Sequence, residues 1–157
     1  MAFDIVIREG RVIDPLAGID AALDVGIKDG RIEAVAPNLS AAGARIIEAG
    51  GKCVSPGFID PHVHVYGGIG LADPDTVGVY QGVTAIGDFG GAGTATFPDF
   101  KELVLPRAKT TVYSVVNITD GGVGAYGFGV SDLLPIGRLD MRRFFTMVEE
   151  NRDVIKG

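Results

Sequence analysis

The sequence predicts an α/β chain: an antiparallel β unit of roughly fifty residues, then the first three or so βα units of a parallel (β/α)8 barrel left incomplete in this chain. Three observations carry that prediction. Short β-rich runs alternate with turn signals up to residue 54, and from Gly57 onward apolar strands alternate with helical patterns. Glycine supplies 24 of 157 residues, about twice the usual ~7% share and with no collagen period, as turns and tight loops require.

The first β-rich run covers 4–8, followed by Glu9-Gly10 as a turn signal and by the run 11–15. Residues 23–27 lead into Lys28-Asp29-Gly30, and Asp-Gly between apolar runs predicts a hairpin because both residues tolerate positive φ. Runs 31–35 and 45–49 continue the pattern, the second closed by Gly50-Gly51. After Ser55-Pro56-Gly57 the residues 58–65 read as a buried strand, 75–81 as a short helix and 83–89 as a second strand. A second helix is expected over 97–108, ending near Pro106, and a third strand over 110–118, which is rich in Val, Thr and Tyr. A Gly-rich loop at 121–129 leads through Pro135 to a helix over 140–151, with Phe144, Met147 and Val148 at i, i+3 and i+4. Val154-Ile155 begins a fourth strand. A barrel takes ~250 residues, or ~31 per unit, so the stretch from Gly57 makes about three units. If the polypeptide ends at Gly157, the third or fourth strand is expected to carry an open edge, which aggregates or pairs with another chain.

Composition narrows the partners. With 14 basic and 20 acidic residues, a net charge of −6 and no basic run, neither nucleic acid nor an anionic membrane is expected to bind. At 46% hydrophobic and 22% charged residues, with mean hydropathy +0.29, a disordered chain is excluded. The start carries Asp4 and lacks an apolar signal region, and no uncharged apolar run approaches the ~18 residues of a membrane span. Cys53 stands alone, so no intrachain disulfide can form; a cytoplasmic location and a buried, apolar Cys53 are expected.

The chemistry concentrates at His62-Val63-His64, the chain's two histidines. In a strand, residues i and i+2 share a face, so both imidazoles can converge on one divalent metal. The plainer reading is two unrelated structural histidines. Gly122 to Gly127 formally matches a dinucleotide fingerprint, but no helix opens on it, and the segment reads as a loop over the barrel mouth.

The stretch Pro56-Gly57-Phe58-Ile59-Asp60-Pro61-His62-Val63-His64 resembles the first barrel strand of the amidohydrolase superfamily, whose pattern is Pro-Gly, two apolar residues, Asp, any, His, any, His. The opening Asp4 to Ile7, Gly10 to Asp14 and Gly26 to Ile32 resemble that family's N-terminal β-sandwich, which places the sandwich portion at 1–55 and the partial catalytic barrel at 56–157. Within the superfamily the chain is most similar to the dihydroorotase, hydantoinase and deacetylase-like metallohydrolases, and above all to the branch acting on N-acylated amino-acid-like substrates. Tyr66-Gly67-Gly68, Gly82-Val83-Thr84 and Asn117-Ile118 carry that similarity. Dihydroorotases have an Arg two residues after the second His; here Tyr66 stands there, which disfavours that activity.

The resemblance implies a site of one or two metal ions, usually zinc, in which His62 and His64 bind the more buried ion and a metal-activated water attacks a C–N bond or an ester. The other ligands and the proton-shuttling Asp come from later strands, so no catalytic residue is assigned within this chain. Lys156 is a candidate for the carbamylated bridging lysine, although the resemblance places that lysine a few residues beyond Gly157; otherwise it is a solvent-facing lysine at a strand start. Asp60 is either an orienting carboxylate behind the histidines or a structural one bonding backbone near Pro61. Tyr66, Asp88 and Asn117 lie where barrel enzymes keep substrate contacts, or else serve as caps and loop residues. The expected substrate is a small amide or N-acyl amino-acid-like molecule, and the expected partners are a missing C-terminal barrel portion or another chain, with homo-oligomerisation at full length. The alternatives are a mononuclear deaminase-type enzyme and a non-catalytic module that pairs with another chain.

Overall fold

The computed structural model of the chain describes residues 2–66, 72–123 and 139–157. It divides into two compact units, Met1–Pro56 and Gly57–Gly157.

Unit 1 is a five-stranded sheet of β1 (Ile5–Asp14), β2 (Ile19–Lys28), β3 (Arg31–Ala36), β4 (Arg45–Glu48) and β5 (Cys53–Val54). The order is β3-β2-β1-β4, with β5 also pairing β1. The hairpin at Asp29-Gly30 forms as the sequence predicts: Lys28 pairs with Arg31, and the two turn residues adopt φ of 50° and 72°. The unit is not wholly antiparallel. After β3 the chain crosses to the far side of β1 and returns in the same direction, so β4 and β5 both pair β1 in parallel. The described strands of this unit form one five-stranded sheet.

Glu9-Gly10 is a bulge inside one continuous strand and not a turn between two. The register slips between Ile7 and Gly10, and Glu9 takes φ 58°, a conformation unfavourable for a side-chain-bearing residue. Asp24 across the sheet supports it, accepting the Glu9 N–H on Oδ1 and the Leu39 N–H on Oδ2, each at 2.9 Å. Gly10 itself is required by packing, since a Cβ there would lie 2.5 Å from Val54 Cγ2. Cys53 is exposed rather than buried, because it sits in a two-residue strand paired only to β1.

Unit 2 is a parallel sheet β6-β7-β8 formed by β6 (Phe58–Val63), β7 (Val83–Phe89) and β8 (Thr111–Val115). Its core gathers Ile86, Phe97, Phe100, Val112, Met147 and Ile155, from two strands, both longer helices and the chain's last residues. The strand β6 is not the buried one expected: it pairs with β7 alone, and Phe58 and Ile59 are 65% and 71% exposed.

The helix expected over 75–81 forms in two pieces, α1 (Pro74–Val77) and a 3-10 turn at Val79–Gln81. Asp73 caps α1 by accepting from the backbone N–H groups of Asp75 and Thr76. The break falls at Gly78, where a Cβ would stand 2.2 Å from Thr110 Oγ1, the atom that accepts the Val79 N–H at 3.0 Å. Helix α2 (Phe97–Leu103) likewise passes into a 3-10 turn at Leu105–Arg107, where Pro106 cannot donate to a continuing helix. Asp140 caps α3 (Met141–Glu150) by accepting from Arg143 N–H at 3.0 Å. A fourth strand is present only as a single parallel bridge, Ser114 to Ile155. The loop glycines Gly67 and Gly68, the part of the expected Gly-rich loop from Gly124 to Gly129, and Pro135 lie outside the described residues.

Candidate metal centre

Strand β6 delivers both histidines to its C-terminal end. His62 is in the strand and His64 just past it, and their ring centroids lie 5.4 Å apart in an edge-to-face arrangement. The His62 ring is fixed from the neighbouring strand by stacking on Phe89, 4.2 Å between centroids. The Nδ1 atom of His64 is buried and has no hydrogen-bond partner.

An orphaned imidazole nitrogen beside a second imidazole fits two positions of a divalent-metal set, since a buried polar atom left unpaired is costly and a metal would satisfy it. Among the described residues no group of three or more His, Cys, Asp or Glu side chains is placed to hold an ion. The fit is therefore to part of a site.

The other candidates are disposed as follows. Asp60 Oδ1 accepts the backbone N–H of His62 at 3.0 Å, a contact with the main chain and not with an imidazole. The Tyr66 ring packs edge-on against Phe100, 5.6 Å between centroids, and burial raises the pKa of its hydroxyl. Asn117 Oδ1 accepts from both the N–H and the hydroxyl of Thr119 at 2.9 Å, closing a local turn. Lys156 donates to the Arg152 carbonyl at 2.9 Å and lies over the Tyr113 ring, 5.3 Å from its centre.

Asp88 differs from all of these. It is fully buried at the penultimate position of β7, and burial pushes its carboxyl up to about 6 despite the pull of the Gly91, Val65 and Tyr66 N–H groups and of His64. Its Oδ1 accepts from Gly91 N–H at 3.0 Å, whereas Oδ2 makes no regular hydrogen bond. Ser114, its register partner on β8, is also fully buried with an unpartnered hydroxyl. Ser114 escaped the sequence reading. Its only signal is a polar residue near the end of a Val- and Tyr-containing strand.

Beyond the histidines, the loops that follow β7 and β8 lace together. Asn117 N–H donates to Ala92 O, Thr94 N–H to Thr119 O and Ala95 N–H to Asp120 O, at 2.9 to 3.1 Å. Gly93 permits this approach, because a Cβ there would stand 2.0 Å from the Thr119 carbonyl oxygen.

No family model matches the chain. It is 32% identical over 143 residues to a deacetylase from Brucella anthropi, an alignment covering 88% of this chain and 35% of that protein. A shorter stretch of 61 residues, 39% of this chain and 14% of the relative, is 59% identical to a dihydroorotase from Solibacter usitatus. Among solved structures, a dihydroorotase superposes with TM-score 0.85 at 28% identity, over 98% of this chain and 41% of that one. The chain therefore spans less than half the length of each of these three proteins.

Proposed function

The chain belongs to the amidohydrolase superfamily and spans the N-terminal part of its members; from that premise we propose that it supplies His62 and His64 as two metal ligands of a hydrolase that cleaves a C–N bond by metal-activated water. The observation that carries the proposal is the pairing of the two imidazoles at 5.4 Å, with the buried His64 Nδ1 lacking any protein partner.

When bound, zinc in this setting supplies Lewis acidity toward a carbonyl and a water acidic near neutral pH. The chain's own residues contribute the frame. Stacking on Phe89 restrains the His62 ring, the Asp60 carboxylate holds the backbone at His62, and burial keeps water from the His64 nitrogen. The remaining ligands and the proton-shuttling carboxylate belong to later barrel strands, which would also cover the exposed Phe58 and Ile59 on β6.

Tyr66 offers no cation to a substrate carboxylate, and its ring is committed to Phe100. This weighs against dihydroorotate as substrate. The test is equilibrium dialysis of the full chain against Zn2+, with His62→Ala and His64→Ala as comparisons. The proposal expects binding that either substitution abolishes; binding indifferent to both, or none at all, overturns it.

A further inference from the structure

We propose that Asp88 is a positioning residue for His64, holding the backbone that follows this histidine and presenting a buried negative charge beside its ring. The inference rests on the reading of His62 and His64 as metal ligands and extends it to a residue that touches no metal.

Four observations converge on it. Asp88 is the register partner of Val63, the residue immediately before His64. The backbone N–H groups of Val65 and Tyr66, the two residues immediately after His64, and His64 itself all favour the charged form of its carboxyl. It also accepts the Gly91 N–H, so one side chain joins the segment leaving β6 to the loop leaving β7. Finally, among the described residues the buried side-chain atoms without a hydrogen-bond partner are His64 Nδ1, Asp88 Oδ2 and Ser114 Oγ, on the ends of three adjoining strands. A buried carboxylate that acts on the backbone just after His64 and is anchored by Gly91 restricts where that ring can point, a constraint through the main chain rather than through a hydrogen bond to the ring itself.

Asp60 does not fill this role. It binds the backbone N–H of His62 two residues away, whereas Asp88 reaches the His64 segment from another strand. Gly91 marks how closely this anchor fits, because a Cβ there would stand 2.2 Å from Asp88 Oδ1.

The test uses the metal-free full chain and follows imidazole 15N resonances at fixed pH, which is simple because the chain has two histidines. In Asp88→Asn, which keeps the shape and removes the charge, the His64 signals should move while those of His62 stay, and Zn2+ affinity should fall about 10- to 100-fold. Unchanged His64 signals together with unchanged zinc affinity in a folded Asp88→Asn chain overturn the inference. Should that variant unfold, Gly91→Ala decides the matter: it leaves the charge and displaces the carboxylate, so a folded Gly91→Ala chain with undisturbed His64 signals also overturns it. A His64-specific shift in a chain that binds no zinc supports the positioning role and sinks the metal reading, so the two fail separately.

Discussion

Asp24 in unit 1 and Asp88 in unit 2 are both buried strand carboxylates, yet they are used differently. Each Asp24 oxygen accepts a backbone N–H, from Glu9 and from Leu39, at 2.9 Å. Asp88 also holds backbone, but leaves Oδ2 unpaired beside His64. Asp75, near the opposite ends of the unit 2 strands, resembles Asp24: its Oδ1 takes the N–H groups of Lys109 and Thr110 and the Thr110 hydroxyl, at 2.8 to 2.9 Å. Buried polar atoms are thus satisfied in unit 1 and at the entry to β8, and left open where β6, β7 and β8 end. In parallel α/β sheets the carboxyl ends of the strands are where ligands bind and the opposite ends serve stability.

The comparison can be broken first at the core. Phe100, fully buried against Phe97 and Tyr66, belongs to a cluster made only of unit 2 residues. Phe100→Ala should cost about 3–5 kcal/mol, read by urea unfolding through tyrosine fluorescence, since all four tyrosines lie beyond residue 57. A loss below about 1 kcal/mol would mean that this cluster does not hold unit 2 together.

Asp24→Ala should cost about 1–3 kcal/mol, because it strands two backbone donors and leaves the Glu9 bulge unsupported. A neutral result, measured by circular dichroism melting, would erase the contrast with Asp88.

Asp75 sharpens the comparison through pH. The Thr110 N–H, ahead of its other donors, holds the Asp75 carboxyl below the usual carboxylate value. A depressed folded pKa gives stability that is present above the unfolded value of about 3.9 and is lost as pH falls through the folded one. Asp75→Asn should therefore be less stable than the parent at pH 7 and lose less on acidification; parallel pH profiles would contradict this.

The smallest effect on stability is expected at His62, which is exposed. His62→Ala should leave the melting temperature nearly unchanged while removing metal binding. A large destabilisation would make its stacking on Phe89 a structural contact first.

What the sequence made legible was local. The hairpin at Asp29-Gly30 and the 5.4 Å approach of the His62 and His64 rings follow from φ tolerance and two-residue periodicity. What stayed hidden depends on residues distant in the chain. The bulge at Glu9 is supported by Asp24, fifteen residues away; the break at Gly78 is imposed by Thr110, over thirty residues on; and the exposure of β6 follows from pairing on one side only. The setting of Asp88 was hidden for the same reason, since Val65 and Tyr66, whose N–H groups act on its carboxyl, lie on another strand's exit.

The most direct test of the metal reading is a zinc titration of the full chain followed by imidazole NMR. The account predicts that the resonances of His62 and His64 move together and saturate at a common zinc concentration. Independent movement of the two rings, or none, would contradict it.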